Sequence, residues 1–165
     1  MRPSRNHRPP APGPRMDFVT VKHVDEKAYL ILGTQIFGAW IHYVGGSSKP
    51  CHQPDAECER CDLEQPRRWV GYLHAVLQGG KDDFFLSIPP FAGYNLIQSL
   101  GQDYNLRGRI LHIRRKTDHP QSRLLIRWEG GDTTRVAYIR EKDPSPYVGI
   151  LFHKWDRLTT PEKLA

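Results

Sequence analysis

The chain has 165 residues, with 24 Lys+Arg against 18 Asp+Glu and a formal charge of +6. That length suits one domain with an appendage, and no apolar run approaches the roughly 18–20 residues of a spanning helix. Residues 1–15 lack the apolar core of a secretory signal, and three cysteines cannot all pair within one chain. A disulfide scaffold is therefore not expected, and the chain reads as a cytoplasmic protein.

In chain order, residues 1–16 read as a disordered, basic, Pro-rich arm. It carries Arg2, Arg5, Arg8 and Arg15, five prolines and no acid. Proline removes backbone donors and little here is apolar, so no regular element forms. Without residues 1–15 the balance is 20 basic to 18 acidic, so the charge of the body is nearly neutral. The arm suits weak attraction to polyanions or simple solubility.

The body, residues 17–140, reads mostly as strands. β-Branched and aromatic runs mark 18–24, 28–32, 37–44, 68–77, 83–88, 109–116, 123–128 and 135–140. Pro89-Pro90 opens a helix, because proline is tolerated in a first turn. Phe91, Tyr94, Leu96, Ile97 and Leu100 recur at helical spacing, and Gly101 stops it. Residues 141–165 hold Tyr147, Ile150, Leu151, Phe152 and Trp155, too apolar for a free tail, and are expected to pack on the domain. A strand, a long interruption, a hairpin, one helix and a second hairpin is the strand budget of an OB-fold. The expectation is a mainly β protein: an OB-fold-like five-stranded barrel with one helix and an inserted zinc-binding loop over 45–66. A different small barrel or a sandwich is the alternative.

All three cysteines lie in that loop: Cys51, Cys58 and Cys61. Cys58-x2-Cys61 is a knuckle that lets two thiolates hold one ion, and structural Zn2+ takes four tetrahedral ligands, Cys3His among them. Two histidines compete for the fourth place. His52 adjoins Cys51, an awkward spacing for a shared metal. His42 ends the preceding strand, before the Gly45-Gly46 turn, and is favoured. A redox C-x-x-C would open a helix in a βαβ unit, and none is visible. A catalytic zinc would need an open position and a general base, so one structural zinc is expected, with no enzyme activity. No P-loop, G-x-S-x-G, H-E-x-x-H or paired-carboxylate pattern appears either.

Single-strand binding needs aromatic platforms and a basic groove. Trp69 and Tyr72 lie beside Arg67 and Arg68 on one predicted strand. Arg107, Arg109, Arg114, Arg115, Lys116, Arg123 and Arg127 follow, with Asp118 the one acid among them. These eleven residues are the predicted nucleic-acid surface. Trp69 shares strand parity with Gly71 and Leu73, so an inward orientation is the competing reading.

The order His42, Cys51, Cys58-x2-Cys61 between early strands resembles the zinc-containing helix-destabilising proteins of T-even-type phages. In that family a His-Cys-Cys-Cys zinc subdomain interrupts an OB-fold that binds single-stranded DNA. The likeness covers 37–128 in ligand order and element order, with tighter spacings here. Residues 159–165 are nearly neutral where the phage proteins carry an acidic tail. Trp40-Ile41-His42 with Pro66-Arg67-Arg68-Trp69-Val70-Gly71-Tyr72-Leu73 also looks like uncharacterised small proteins of bacterial and phage genomes. The resemblance implies a single-stranded DNA-binding role in replication or repair. The alternatives are RNA as ligand, or an accessory subunit docked on a larger nucleoprotein machine.

Overall fold

The computed structural model describes residues 16–51, 57–101, 103–144 and 146–147. In chain order these form β1 (Phe18–Thr20), β2 (Lys27–Ile31), β3 (Phe37–Val44), β4 (Ser47–Pro50), the single helical turn α1 (Glu59–Asp62) and β5 (Arg67–Leu77). Then come β6 (Asp83–Ile88), α2 (Pro90–Leu100), β7 (Ile110–Arg115), β8 (Leu124–Trp128) and a 3-10 turn at Thr133–Val136. All eight strands join one open, mixed sheet, in which β1 runs parallel to β6 and the other pairs are antiparallel.

The long strand β5 organises the sheet. One of its edges pairs with β6, from Gly71↔Ile88 to Val76↔Asp83. Its other edge is shared end to end by β3, from His42↔Arg67 to Phe37↔Tyr72, and by β2, from Ile31↔Ala75 to Tyr29↔Leu77. So β2 and β3 act as one strand with a break. Six steps from Ile31 to Phe37 oppose three from Ala75 to Tyr72, and the surplus residues bulge. The break is pinned, because Leu32 and Ile36 are fully buried and the Leu32 and Gly33 N–H groups both donate to the His74 carbonyl.

Core residues follow from strand parity. Trp69, Leu73, Leu86, Ile88, Leu111 and Ile113 bury one face, which α2 covers with Ala92, Leu96 and Ile97. A second cluster, Ala39, Ile41, Tyr72 and Phe85, lies against Met16, Phe18 and Tyr147. The predicted arm thus gives up its last residue, Met16, to the fold, while residues 1–15 lie outside those described.

Three expectations change. The predicted barrel is not closed: among the described residues β8 pairs only with β7, and the outer edge of β6 is taken by β1. The predicted strand over 135–140 is instead a 3-10 turn and bends, because the Asp132 carboxylate accepts from the Thr134 N–H at 3.0 Å and starts a helical turn. The polar stretch after Gly46 holds β4, since Gly45 and Gly46 adopt φ of 59° and 80° and close a two-residue hairpin.

The C-terminal extension packs where it is described. Glu141 accepts from the N–H and Oγ1 of Thr34 at 2.7 and 2.9 Å, and Tyr147 meets Phe85 with ring centroids 5.3 Å apart. Ile150, Leu151, Phe152 and Trp155 lie outside the described residues.

Candidate metal centre and nucleic-acid interface

Three short elements converge to build the centre. His42 lies in β3, paired with Arg67 of β5 on one side and Lys49 of β4 on the other. The hairpin returns the chain so that Cys51 follows β4, and its N–H donates to the Trp40 carbonyl at 2.8 Å. Cys58 caps α1, accepting from the Asp62 N–H at 3.0 Å, and Cys61 sits one turn later. The turn ends at Glu64, whose φ of 56° lets the chain reverse into β5.

The side chains meet at one point. The donor atoms of His42, Cys51, Cys58 and Cys61 lie within 4.8 Å of one another. His42 Nε2 is 3.5 Å from Cys58 Sγ and 3.4 Å from Cys61 Sγ, and Cys51 Sγ is 3.5 Å from Cys61 Sγ. With metal–sulfur bonds of about 2.3 Å, a tetrahedron has edges of roughly 3.8 Å, so this set can hold one metal ion. His42 Nδ1 donates to the Pro66 carbonyl at 3.1 Å. A carbonyl only accepts, so the proton sits on Nδ1 and the Nε2 lone pair faces the sulfurs. That outer contact sets the tautomer a ligand needs. His42, Cys51 and Cys58 are buried. Burial, then hydrogen bonds with Cys51 and Cys58, push the Cys61 thiol up to about 12. A divalent cation would reverse that preference by charge alone. Arg67 Nη1, 4.0 Å from Cys51 Sγ, places a positive group beside what would be an anionic thiolate cluster. The competing ligand His52 lies outside the described residues.

The predicted nucleic-acid residues separate into groups. Trp69 is fully buried, and its ring fills the space that side chains at Gly38 and Gly71 would occupy: a Cβ on either would sit 2.3–2.5 Å from the indole. Tyr72 is also buried, edge-on to Phe18 with centroids 5.3 Å apart. Both are corrected from stacking platforms to core residues. Arg115 is buried too, with Nε donating to Val21 O and Nη1 to Ser122 O, each at 2.7 Å. Arg107 donates to the carbonyls of Leu32, Val136 and Ile139. These two arginines hold backbone.

The lopsided charge of the Arg107–Arg127 run is offset in space. Glu26 accepts from Arg127 Nη2 at 2.7 Å, and Glu129 lies 3.0 Å from His112 Nε2. The Arg127 hydrogen bond is the main reason that Glu26 titrates below the ordinary carboxylate value. Arg68, Arg109, Lys116 and Arg123 form no ion pair among the described residues. Arg114 stays half-buried beside them.

The accessible rings are other aromatics, with Tyr43, Phe91 and Trp128 exposed and Trp40 half-buried. Arg67 lies over Trp40 at 4.5 Å and Arg68 over Tyr43 at 5.9 Å; Arg109 covers Trp128 and Arg123 covers Phe91, both at 4.9 Å. The first two pairs flank the metal centre, one on each face of the β3–β5 ladder, and the other two flank α2 and β8. Cross-strand pairing carries the missing signal: with Trp69 and Tyr72 buried on opposite faces of β5, Arg67 and Arg68 find their partners on the paired strand, at Trp40 and Tyr43. No family model, curated protein or solved structure matches the chain.

Proposed function

We propose that this is a single-stranded nucleic-acid-binding protein, DNA rather than RNA, with one structural Zn2+ held by His42, Cys51, Cys58 and Cys61. A thiolate-rich tetrahedral donor set with no open position favours zinc in a structural role. An OB-type plan is supported by strand adjacency. The joint strand β2–β3 pairs with both β5 and β7, α2 sits between the two hairpins, and β8 follows β7.

The observation that carries the reading is the end of the β3–β5 ladder. Consecutive arginines, Arg67 and Arg68, each cover an aromatic ring, Trp40 and Tyr43, and the metal centre fixes the hairpin between them. Tyr43 is 61 % exposed, so a base has access to its ring. Stacking on such a ring with an arginine beside it suits single strands without sequence choice.

Fluorescence anisotropy with labelled poly-dT, poly-U and duplex tests this directly. Single-strand binding is expected, strongest for dT, weakening about tenfold or more on Tyr43→Ala with little change in Tm. No binding to any of the three at low salt would refute the reading. Metal analysis of fresh protein should give one zinc per chain, lost in Cys58→Ser.

A further inference from the structure

Beside α2 runs a second surface that the nucleic-acid reading does not use. A groove of about 450 Å3 lies between α2 and β8. It is bridged by the Trp128 Nε1 hydrogen bond to Ser99 Oγ at 2.9 Å and by Arg123 over Phe91 at 4.9 Å, side-chain contacts that leave the main-chain groups of β8 untouched. All five residues of β8, from Leu124 to Trp128, line it, together with Ala92, Leu96 and Ser99 of the helix. Alternate residues of a strand point to opposite faces, so a groove touching every one of them lies along the strand's edge.

That edge is open, and the register says which groups it offers. Lys116 N–H donates to Arg123 O and Glu129 N–H donates to Ile110 O, both at 2.9 Å. These hydrogen-bonded pairs alternate with non-bonded ones along an antiparallel ladder, so Leu125 and Arg127 turn their main-chain groups to β7. Leu124, Ile126 and Trp128 therefore turn theirs outward. No backbone hydrogen bond reaches these three residues from that side among the described residues.

The rim is basic. Arg123 and Arg127 line the groove and Arg109 covers Trp128. Arg127 is paired with Glu26 at 2.7 Å, so Arg123 and Arg109 carry the unpaired charge, and no carboxylate lies in the groove wall among the described residues. Its floor is apolar, formed by Leu96, Leu124 and Ile126. We propose that this groove binds an extended peptide of alternating acidic and apolar residues, which adds to β8 as a further strand. The main-chain repeat of the edge matches another strand, and the guanidinium groups match carboxylates on its solvent face. A nucleic-acid backbone also carries the charge but cannot pair with N–H and C=O groups at the strand repeat. This proposal stands apart from the single-strand platform on β3–β5.

The probe is fluorescein-labelled Asp-Val-Asp-Ile-Asp-Val-Asp, added to the full chain. Binding is expected at least about tenfold tighter than that of the Lys-for-Asp counterpart, with a loss of about tenfold on Arg123→Glu. Hydrogen exchange should show the Leu124, Ile126 and Trp128 amides gaining protection when the peptide binds. A peptide N-methylated at every second residue should bind at least tenfold more weakly; equal binding would overturn strand addition. Displacement of the peptide by oligo-dT with no change in those amides would make the groove a polyanion surface and overturn the proposal. Full protection of the three amides in the free protein would show the edge already occupied, and would overturn it as well. Failure of the peptide to bind leaves dT binding at Tyr43 and Arg68 intact, so the two readings fail separately.

Discussion

Arg115 reaches two carbonyls, Val21 O and Ser122 O, from a buried position, and so joins the segment after β1 to the loop between β7 and β8. Its burial lowers the guanidinium pKa, but hydrogen bonding at both ends keeps the charge satisfied. Trp69 is a similar case of a conspicuous residue absorbed by the fold. Its indole lies where Gly38 and Gly71 lack side chains, so these glycines are needed for close approach rather than for a special backbone angle. Gly38→Ala or Gly71→Ala should therefore overpack the core and cost about 1–3 kcal/mol. Urea unfolding followed by Trp fluorescence measures it; an unchanged midpoint would show that the ring moves aside freely. Composition placed Trp69 and Arg115 on a binding surface because an aromatic and a cation look alike in sequence whether they face a ligand or the interior. Parity decided for Trp69. For Arg115 the alternation with Leu111 and Ile113 points inward, but nothing local shows what satisfies its charge there, since the carbonyl it reaches at Val21 is 94 residues away in the chain.

At the scale of elements, α2 and the β5–β6 and β7–β8 hairpins were legible because each carries its own period and its own punctuation. The ligand set His42, Cys51, Cys58 and Cys61 was legible for the same reason: the knuckle spacing and the Gly45-Gly46 turn are local. β4 was not, because Ser47–Pro50 has no apolar alternation and owes its pairing to the turn that precedes it. If the metal organises this hairpin and α1, chelation should speed hydrogen exchange of the Cys51, Asp62 and Leu63 amides and leave slow the amides of Gly93 in α2 and of Gly101, which caps it. Equal loosening of both sets would mean that the metal supports the whole fold. A second element-scale device ties the C-terminal segment down. His74 is buried, its Nε2 donates to Asp83 Oδ2 at 2.6 Å, and its Nδ1 accepts from the Lys142 N–H at 3.1 Å. Lys142 Nζ closes the loop on Asp83 at 2.8 Å, with Glu141 the other nearby charge. Burial is the main reason that the His74 pKa lies below the ordinary 6.5, with Asp83 and Glu141 opposing it. The folded state therefore prefers neutral His74, while the unfolded chain takes up a proton as pH falls through 6.5. This contribution to stability is complete above that pH and is lost progressively below it. Asp83 adds a second loss below the ordinary carboxylate value of 3.8, since its own pKa is lowered. Tm should fall between pH 7.5 and 5.5, and the fall should shrink in His74→Asn, which keeps an acceptor for Lys142 but does not titrate; an equal fall in both proteins would place the effect elsewhere.

Over the whole molecule, the distribution of charge decides what kind of binding to expect. The formal +6 overstates the basic surface of the described body, because Glu26 and Glu129 neutralise part of the β7–β8 face and Arg107 and Arg115 are occupied with backbone. The arginines that lie over aromatic rings without an ion pair among the described residues gather in two places: Arg67 and Arg68 near the metal-ligand cluster, and Arg109 and Arg123 flanking β8. A single strand held at the first place alone meets few cations, so its salt dependence should be shallow. Each phosphate neutralised contributes about 0.7 to the slope of log K against log salt for single strands. With Arg67, Arg68 and one or two further cations engaged, the slope for oligo-dT should lie at about −2 to −3. Arg68→Ala should reduce it by about 0.7, while Arg115→Ala should lower Tm and leave the slope of the folded protein unchanged. A slope near −5 or steeper would mean that the strand spans both basic places, and the β8 groove would then belong to the same ligand. The magnitude of one slope thus separates a compact platform at the β3–β4 hairpin from a path that wraps the molecule.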